Sequence, residues 1–157
     1  MKMEIEAGRG DFTAAREVGN KLVAQGKESA EILNSLAWFA LFLPKASDTD
    51  VAMAVKATQL AADNPHILHT LGSLYAATGD TKNAREVLLR AMDDQNLDEP
   101  NEDFWYAWGL IAEQYGEREI AIADYRKLKR PKEVLELPSS SWKLAQARLK
   151  ALGAESK

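Results

Sequence analysis

The sequence predicts an all-α protein built from repeated pairs of helices, and three observations support this fold class. One pattern of small and large residues occurs twice, in segments that start at Leu68 and Trp105, 37 positions apart. Within each segment the apolar residues are spaced by three or four, which places them on one face of a helix. Residues that favour helix ends, chiefly Gly, Asn, Ser and Pro, separate the periodic segments.

The repeated pattern is visible when the two segments are aligned. The first is Leu68-x2-Leu71-Gly72-x2-Tyr75, then Gly79 and Ala84-x3-Leu88-x2-Ala91. The second is Trp105-x2-Trp108-Gly109-x2-Ala112, then Gly116 and Ala121-x3-Tyr125-x2-Leu128. Small residues let paired helices approach closely, and the large residues fill the space beside them. Both segments are therefore expected to form the same kind of helix pair.

This pattern resembles the tetratricopeptide repeat (TPR) family, whose unit of about 34 residues carries W-x2-L-G-x2-Y and then A-x3-F-x2-A. Leu33-x2-Leu36-Ala37-x2-Ala40, with Ala54 and Ala57, is a weaker third match. The resemblance implies a right-handed superhelical array of antiparallel helix pairs, a TPR-like α-solenoid with a C-terminal capping helix. It divides a single domain, 1–157, into a partial repeat at 8–29, repeats at 30–64, 65–98 and 102–135, and a capping helix at 139–152.

The N-terminal part predicts helices over 11–25, 29–43 and 50–62. Gly10 aligns with the turn glycine inside a unit, and only about nine residues precede it, too few for a full first helix. The apolar face of the 11–25 helix would then lack a partner. We favour the interpretation that the chain is a fragment of a longer protein over an array that starts with an exposed second helix.

Capping residues set the helices of the second half. Asn64-Pro65 is an N-cap followed by proline at the first helical position. Gly79 and Gly116 end helices in a left-handed conformation that favours glycine. Ser139 to Ser141 begin an amphipathic stretch that is expected to cover the last apolar face of the array. The predicted helices are 65–78, 81–94, 102–115, 117–129 and 140–152.

Composition excludes several classes of function. The chain has no cysteine, which rules out disulfides, thiolate zinc sites and cysteine nucleophiles. Its net charge of −4 disfavours nucleic acid as a partner unless a local basic patch overrides it. The longest apolar run, Leu36 to Leu43, is far shorter than the about 20 residues of a membrane span, and the N-terminus has no signal core. We expect a soluble cytoplasmic protein without cofactor or membrane partner, although a signal would be missing from a fragment.

The TPR resemblance implies a concave groove lined by the first helix of each unit. The groove is expected to bind a protein or peptide partner. The residues that the resemblance directs into it are Asn34, Trp38, Leu41, Phe42, His66, His69, Ser73, Ala76, Tyr106, Leu110, Glu113 and Gln114.

The run from Leu36 to Leu43 is apolar on every side, and a helix of this kind is normally covered on more than one face. Covering each large side chain is worth about 1.5–3 kcal/mol. Trp38, Leu41 and Phe42 are therefore expected to be covered by a bound peptide or helix, by missing N-terminal repeats, or by a neighbouring subunit in a homo-oligomer. The sequence leaves these alternatives open.

Other clusters favour structural interpretations. His66 and His69 lie three apart, but a metal site needs a third ligand. The groove set holds one Asn and no Lys or Arg, so it lacks the residues that grip a C-terminal carboxylate in many TPR domains. In the aromatic run Phe104 to Trp108, only Tyr106 is expected to face the groove. The acidic stretch 93–103 and the basic stretch 126–132 are expected to be solvated, with a phosphate-rich partner or salt-sensitive self-association as alternatives.

No catalytic motif occurs, and both histidines lie in one helix, so we expect no enzymatic activity. The first hypothesis is a scaffold that binds a protein or peptide in its groove. The second is a structural or self-associating module of a larger bacterial protein, without a ligand of its own. The Glu113 to Gly116 turn and the serine-rich entry to the last helix resemble the helical tails of large bacterial transglutaminase-like proteins.

Overall fold

The computed structural model describes residues 2–133 and 136–155, and all regular secondary structure in these ranges is α-helical. The nine helices of these ranges are α1 Lys2–Gly8, α2 Phe12–Ala24, α3 Ala30–Ala40, α4 Asp48–Leu60, α5 Pro65–Ala77, α6 Thr81–Asp94, α7 Phe104–Gln114, α8 Arg118–Arg126 and α9 Ser141–Ala151. Residues 1, 134–135 and 156–157, which fall within the predicted domain 1–157 and in part within the repeat 102–135, lie outside the described residues.

All eight helices predicted from the sequence are present, with ends that differ by at most three residues. The caps explain this agreement. The side chain of Asn64 accepts hydrogen bonds from the backbone N–H groups of His66 and Ile67, and Pro65 stands at the start of α5. Gly79 and Gly116 have φ values of +90° and +76°, so both end their helices in the left-handed conformation.

Consecutive helices pack as pairs, α1 with α2, α3 with α4, α5 with α6 and α7 with α8. The aligned glycines allow the close approach within two of them. A Cβ atom added to Gly72 would lie 2.7 Å from the Leu88 side chain, and one added to Gly109 would collide with the Tyr125 ring. Leu88 and Tyr125 are also aligned positions, so the repeated sequence pattern corresponds to a repeated packing arrangement.

Helix α1 is the one helix of the described residues that the sequence analysis missed. It packs on α2 and buries Met3 completely, and a Cβ atom on Gly19 of α2 would lie 2.8 Å from the Met3 sulfur. The expectation that α2 begins the array with an uncovered face is therefore wrong. A helix of seven residues is enough because Gly19 lets a single methionine fill the space.

The first helices of the predicted units, α3, α5 and α7, contact one another in series and form one side of the molecule. Helix α9 packs on α8 and α7 and buries Leu144, Ala145 and Leu149. The segment before α9 returns toward the N-terminal end, where Pro138 lies 3.9 Å from the position of a Cβ atom on Gly10. The C-terminal segment thus reaches across the side that α3, α5 and α7 form.

None of the described helices combines the length and the apolar character that a membrane span requires.

Candidate binding cleft

Two clefts lie along α3, α5 and α7, and nine of the twelve predicted groove residues border one of them. The first, about 300 Å³ in volume, is here called the polar cleft; the second, about 290 Å³, is called the ion-paired cleft. The polar cleft is lined by Asn34, Trp38, His66, His69, Thr70, Asp103 and Ser139–Ser141. The ion-paired cleft is lined by Leu41, Leu43, Pro44, Lys45, Ala46, Ala77, Tyr106, Leu110, Glu113, Gln114 and Arg148.

The apolar patch of α3 is covered by distant parts of the same chain. Phe42 stacks on Phe12 of α2 with ring centroids 4.3 Å apart. The indole N–H of Trp38 donates a 2.8 Å hydrogen bond to the carbonyl oxygen of Ser139. Leu41 and Phe42 also border a cavity of about 380 Å³ whose other wall includes Leu144 of α9. Other segments of the same chain therefore cover this patch in part, and Trp38, Leu41 and Phe42 are half-buried.

His69 is the most buried titratable side chain of the polar cleft, with 6% of its surface exposed. Its ring stacks on Phe104 at 4.9 Å and lies 5.3 Å from the Trp38 ring. Burial, with a smaller contribution from nearby His66, lowers the pKa of His69 to about 3, although the interaction with the Asp103 backbone acts in the opposite direction. His69 is therefore neutral at physiological pH.

Two acceptors in the polar cleft have no hydrogen-bond partner within the described residues. They are Nε2 of His69 and Oδ1 of Asn34, each with less than 1 Å² of accessible surface. Since Nε2 has no partner, the interaction of His69 with the Asp103 backbone assigns the proton of the neutral ring to the other nitrogen, and Nε2 then carries a free lone pair. An unpaired buried polar atom lowers the free energy of unfolding by about 1–3 kcal/mol. Two such atoms in one cleft therefore make this region less stable than a fully hydrogen-bonded one would be.

No Lys or Arg of residues 2–133 and 136–155 lines the polar cleft, so the formal charge of its described lining is negative and comes from Asp103. The carboxylate of Asp103 makes no hydrogen bond or ion pair with any described residue. Asp103 stands at the N-cap position of α7, but its side chain does not cap the helix. Ser139–Ser141 contribute short hydroxyls, which can donate as well as accept, and Ser140 Oγ accepts from the backbone N–H of Lys143. The cleft therefore combines the negative charge of Asp103 with two unpartnered acceptors.

The ion-paired cleft has the opposite character. Glu113 accepts two hydrogen bonds from the Arg148 guanidinium, at 2.9 and 2.6 Å, and a third from the Tyr125 hydroxyl at 2.6 Å. Burial alone would raise the pKa of Glu113, but the hydrogen bonds from Arg148 and Tyr125 outweigh it and lower the pKa. The same carboxylate and the burial of Tyr125 raise the pKa of that phenol. The Glu113 carboxylate and the Arg148 guanidinium of this cleft therefore pair with each other, whereas Lys45, which also lines it, makes no ion pair with a described residue.

The remaining predicted groove residues differ in accessibility. His66 and Gln114 are exposed, and Leu110 and Tyr106 are buried. Ser73 and Ala76 have no accessible surface and border none of the clefts described above, so a ligand would not touch them in this conformation.

The charged stretches 93–103 and 126–132 are partly joined within the chain. Glu102 accepts a 2.8 Å hydrogen bond from the backbone N–H of Lys129. Lys127 pairs with Asp124 at 3.1 Å, and its ammonium lies 3.3 Å from the centre of the Trp105 ring. These contacts hold the end of α8 against the start of α7.

Several residues of the two clefts were not predicted from the sequence. Arg148 and Tyr125 were assigned only to a capping helix and to the repeat core, and Ser139–Ser141 only to a helix start. Their role depends on where the C-terminal segment returns, which no local pattern indicates. Within residues 2–133 and 136–155, no group of three or more His, Cys, Asp or Glu side chains is placed to hold a metal ion.

Comparison with known proteins found no matching protein-family model, no matching curated protein and no matching solved structure.

Proposed function

We propose that this protein is a non-catalytic, TPR-like helical-repeat module that binds a short peptide along the side formed by α3, α5 and α7. The proposed architecture is a right-handed superhelical array. The successive contacts of α3, α5 and α7 and the equivalent packing of Gly72 on Leu88 and Gly109 on Tyr125 support it. Peptide binding is supported mainly by one observation, the pair of unpartnered acceptors in the polar cleft.

The dimensions favour a short ligand. The C-terminal segment crosses this side at Ser139, so the space left to a partner is divided into clefts of about 290–380 Å³. Clefts of this size hold a few side chains, whereas a long amphipathic helix needs a continuous apolar groove. An extended peptide offers backbone N–H groups that match the acceptors of the polar cleft.

Peptide selection tests the proposal. A displayed library of random peptides would be selected on the intact chain, and enriched peptides would be titrated against two variants. Asn34→Leu replaces an acceptor of the polar cleft, and Gln59→Leu makes a similar change at an exposed position on α4, away from both clefts.

We expect the enriched peptides to bind wild type and Gln59→Leu equally, and Asn34→Leu about tenfold or more weakly, because a hydrogen bond is lost. Failure to enrich any peptide, or equal binding to all three proteins, would contradict the proposal.

A second candidate function is a structural or self-associating module of a larger bacterial protein, without a ligand of its own. The filling of the α3 patch by Phe12 and by the C-terminal segment favours the structural form of this candidate, since the chain then covers much of that apolar surface itself and leaves less of it for self-association. Light scattering over a range of protein and salt concentrations tests self-association. A dimer that persists in high salt would support apolar self-assembly, and a monomer at every concentration would oppose it.

A further inference from the structure

We infer that the polar cleft binds a protonated primary amine, whose N–H groups donate to Oδ1 of Asn34 and Nε2 of His69. The inference rests on the proposed binding function and names the chemical group that the cleft recognises. An alkylammonium group occurs on lysine side chains and peptide N-termini and on free small amines. The experiment below distinguishes peptide-borne from free amines.

The hydrogen-bonding character of the cleft decides the kind of ligand group. His69 is 6% exposed, and its Nε2 lone pair has no partner within the described residues. Asn34 Oδ1 is likewise an acceptor without a partner. A carboxylate or phosphate ligand would place oxygen lone pairs against these acceptors, whereas an ammonium group has three donors and no lone pair.

The charge around the cleft selects a cation over a neutral donor. Asp103 lines the cleft, and its carboxylate has no partner among the described side chains. Among the described residues, no lysine or arginine lines the cleft to repel a cation, and burial keeps His69 uncharged. A neutral amide would donate hydrogen bonds to the two acceptors but would gain no electrostatic attraction from the Asp103 carboxylate.

The walls of the cleft suit the alkyl part of such a ligand. The Trp38 ring borders the cleft and is held in place by its hydrogen bond to Ser139. Aromatic rings attract cations and also cover methylene groups. The volume of about 300 Å³ accommodates a chain of four or five carbon atoms. Both acceptors have less than 1 Å² of accessible surface, so the ligand must displace the side chains that cover them, and we expect weak binding.

The test uses nuclear magnetic resonance titration of the intact, isotope-labelled chain with two matched pairs of probes. The first pair is n-butylammonium chloride and n-butanol. The second is a terminally blocked tripeptide Ala-Lys-Ala and the same peptide with an acetylated lysine side chain. The readouts are the dissociation constant and the nitrogen chemical shift of His69 Nε2, which changes when that atom accepts a hydrogen bond.

We expect saturable binding of at least one amine probe, with a dissociation constant on the order of 1 mM, and a shift at Nε2. The neutral member of each pair should bind at least about tenfold more weakly. Binding of both amines to similar extents indicates that a free amine is sufficient. Binding of the peptide alone indicates that the cleft recognises a lysine side chain within a peptide.

Three variants locate the binding. His69→Phe keeps an aromatic ring between Phe104 and Trp38 but removes the acceptor, and Asp103→Asn removes a charge at an exposed position where folding is not at risk. These two variants and Asn34→Leu are each expected to bind amines several-fold more weakly than wild type. Gln59→Leu is expected to bind amines as wild type does.

The inference is overturned if neither amine binds, if the neutral probes bind equally well, or if Asp103→Asn and His69→Phe bind amines as wild type does. Selected peptides that bind at the polar cleft without any need for an amine would overturn this inference and leave the proposed function intact.

Discussion

The polar cleft and the ion-paired cleft lie beside neighbouring helix pairs and share one pair of aligned positions, yet their chemistry differs. His69 of α5, which lines the polar cleft, and Tyr106 of α7, which lines the ion-paired cleft, are 37 positions apart. In the ion-paired cleft, Glu113 receives the guanidinium of Arg148. In the polar cleft, two acceptors stay unpaired. Equivalent positions in a repeat therefore share a location but not a chemical role.

The C-terminal segment produces this difference. Helix α9 places the long side chain of Arg148 over the ion-paired cleft, whereas the preceding loop offers the polar cleft only the short side chains of Ser139–Ser141. No hydroxyl of these serines donates a hydrogen bond to Nε2 of His69 or Oδ1 of Asn34. We interpret the ion-paired cleft as a part of the molecule optimised for stability and the polar cleft as one where stability is given up for binding. Four predictions test this contrast, from the largest expected effect to the smallest.

Removal of the arginine should have the largest effect on stability. In Arg148→Met the half-buried carboxylate of Glu113 loses two of its three hydrogen bonds. We expect the free energy of unfolding to fall by about 2–3 kcal/mol, less than for a fully buried pair because 40% of the Arg148 side chain is exposed. Urea denaturation at pH 7 measures the change.

Lys150→Met, on an exposed position of the same helix, is the matched control and should change stability by less than about 0.5 kcal/mol. Adding Glu113→Gln to Arg148→Met should recover part of the loss, because the uncompensated charge is then gone. If Arg148→Met and wild type have the same free energy of unfolding, the ion pair does not stabilise the protein, and our interpretation of the two clefts is wrong.

The next effect is a dependence of stability on pH that originates in the polar cleft. The pKa of His69 is about 3 in the folded protein and about 6.5 in the unfolded chain, so the unfolded state binds a proton first as the pH falls. The contribution to stability is complete above pH 6.5 and is lost progressively toward pH 3. Between pH 8 and pH 5 we expect a loss of about 2 kcal/mol.

His69→Phe should remove most of this loss while it keeps the stack on Phe104. The carboxyl groups of Glu113 and Asp50 do not produce the same pH dependence. Their folded pKa values lie below 4.5 and 3.8, so their contributions to the free energy of unfolding change at lower pH. A variant with the same pH dependence as wild type over this range would show that His69 is not the source.

The hydrogen bond that joins the C-terminal segment to α3 should have a moderate effect. Trp38→Phe removes the donor to the Ser139 carbonyl and leaves an aromatic ring in place. We expect a loss of about 1–2 kcal/mol in unfolding free energy and faster hydrogen exchange in the 136–141 segment. Trp142→Phe, whose indole makes no hydrogen bond to a described residue, serves as the comparison and should leave exchange in that segment nearly unchanged.

The smallest effect should have the opposite sign. Asn34→Leu replaces an unpaired acceptor with an apolar side chain, and we expect a gain of about 0.5–1 kcal/mol in thermal or urea unfolding. The same variant is expected to lose peptide binding, so stability and binding would move in opposite directions. A loss of both would indicate that Asn34 makes a stabilising contact and that the cleft is not specialised for a ligand.

Local patterns were enough to predict most of the fold. The helices over 65–78 and 81–94 follow from Asn64-Pro65, from Gly79 and from apolar spacing, because these signals act within one turn of helix. Helix α1 was missed because seven residues are too few to show a period, and its partner Gly19 identifies it only once the two helices are placed together. The apolar character of Trp38 and Phe42 was recognised, but the side chains that cover them come from α2 and from residue 139.

By itself, the sequence determined the all-α class, the positions of eight helices to within three residues, and the repeated close packing of Gly72 and Gly109, since each depends on neighbours within a few residues or one repeat. The tertiary structure decided which side chains meet across the molecule. The bond between Trp38 and Ser139 joins residues 101 positions apart, and that between Glu113 and Arg148 joins residues 35 apart. Contacts at such separations depend on the summed geometry of all intervening helices, and only that geometry leaves Nε2 of His69 and Oδ1 of Asn34 without hydrogen-bond partners.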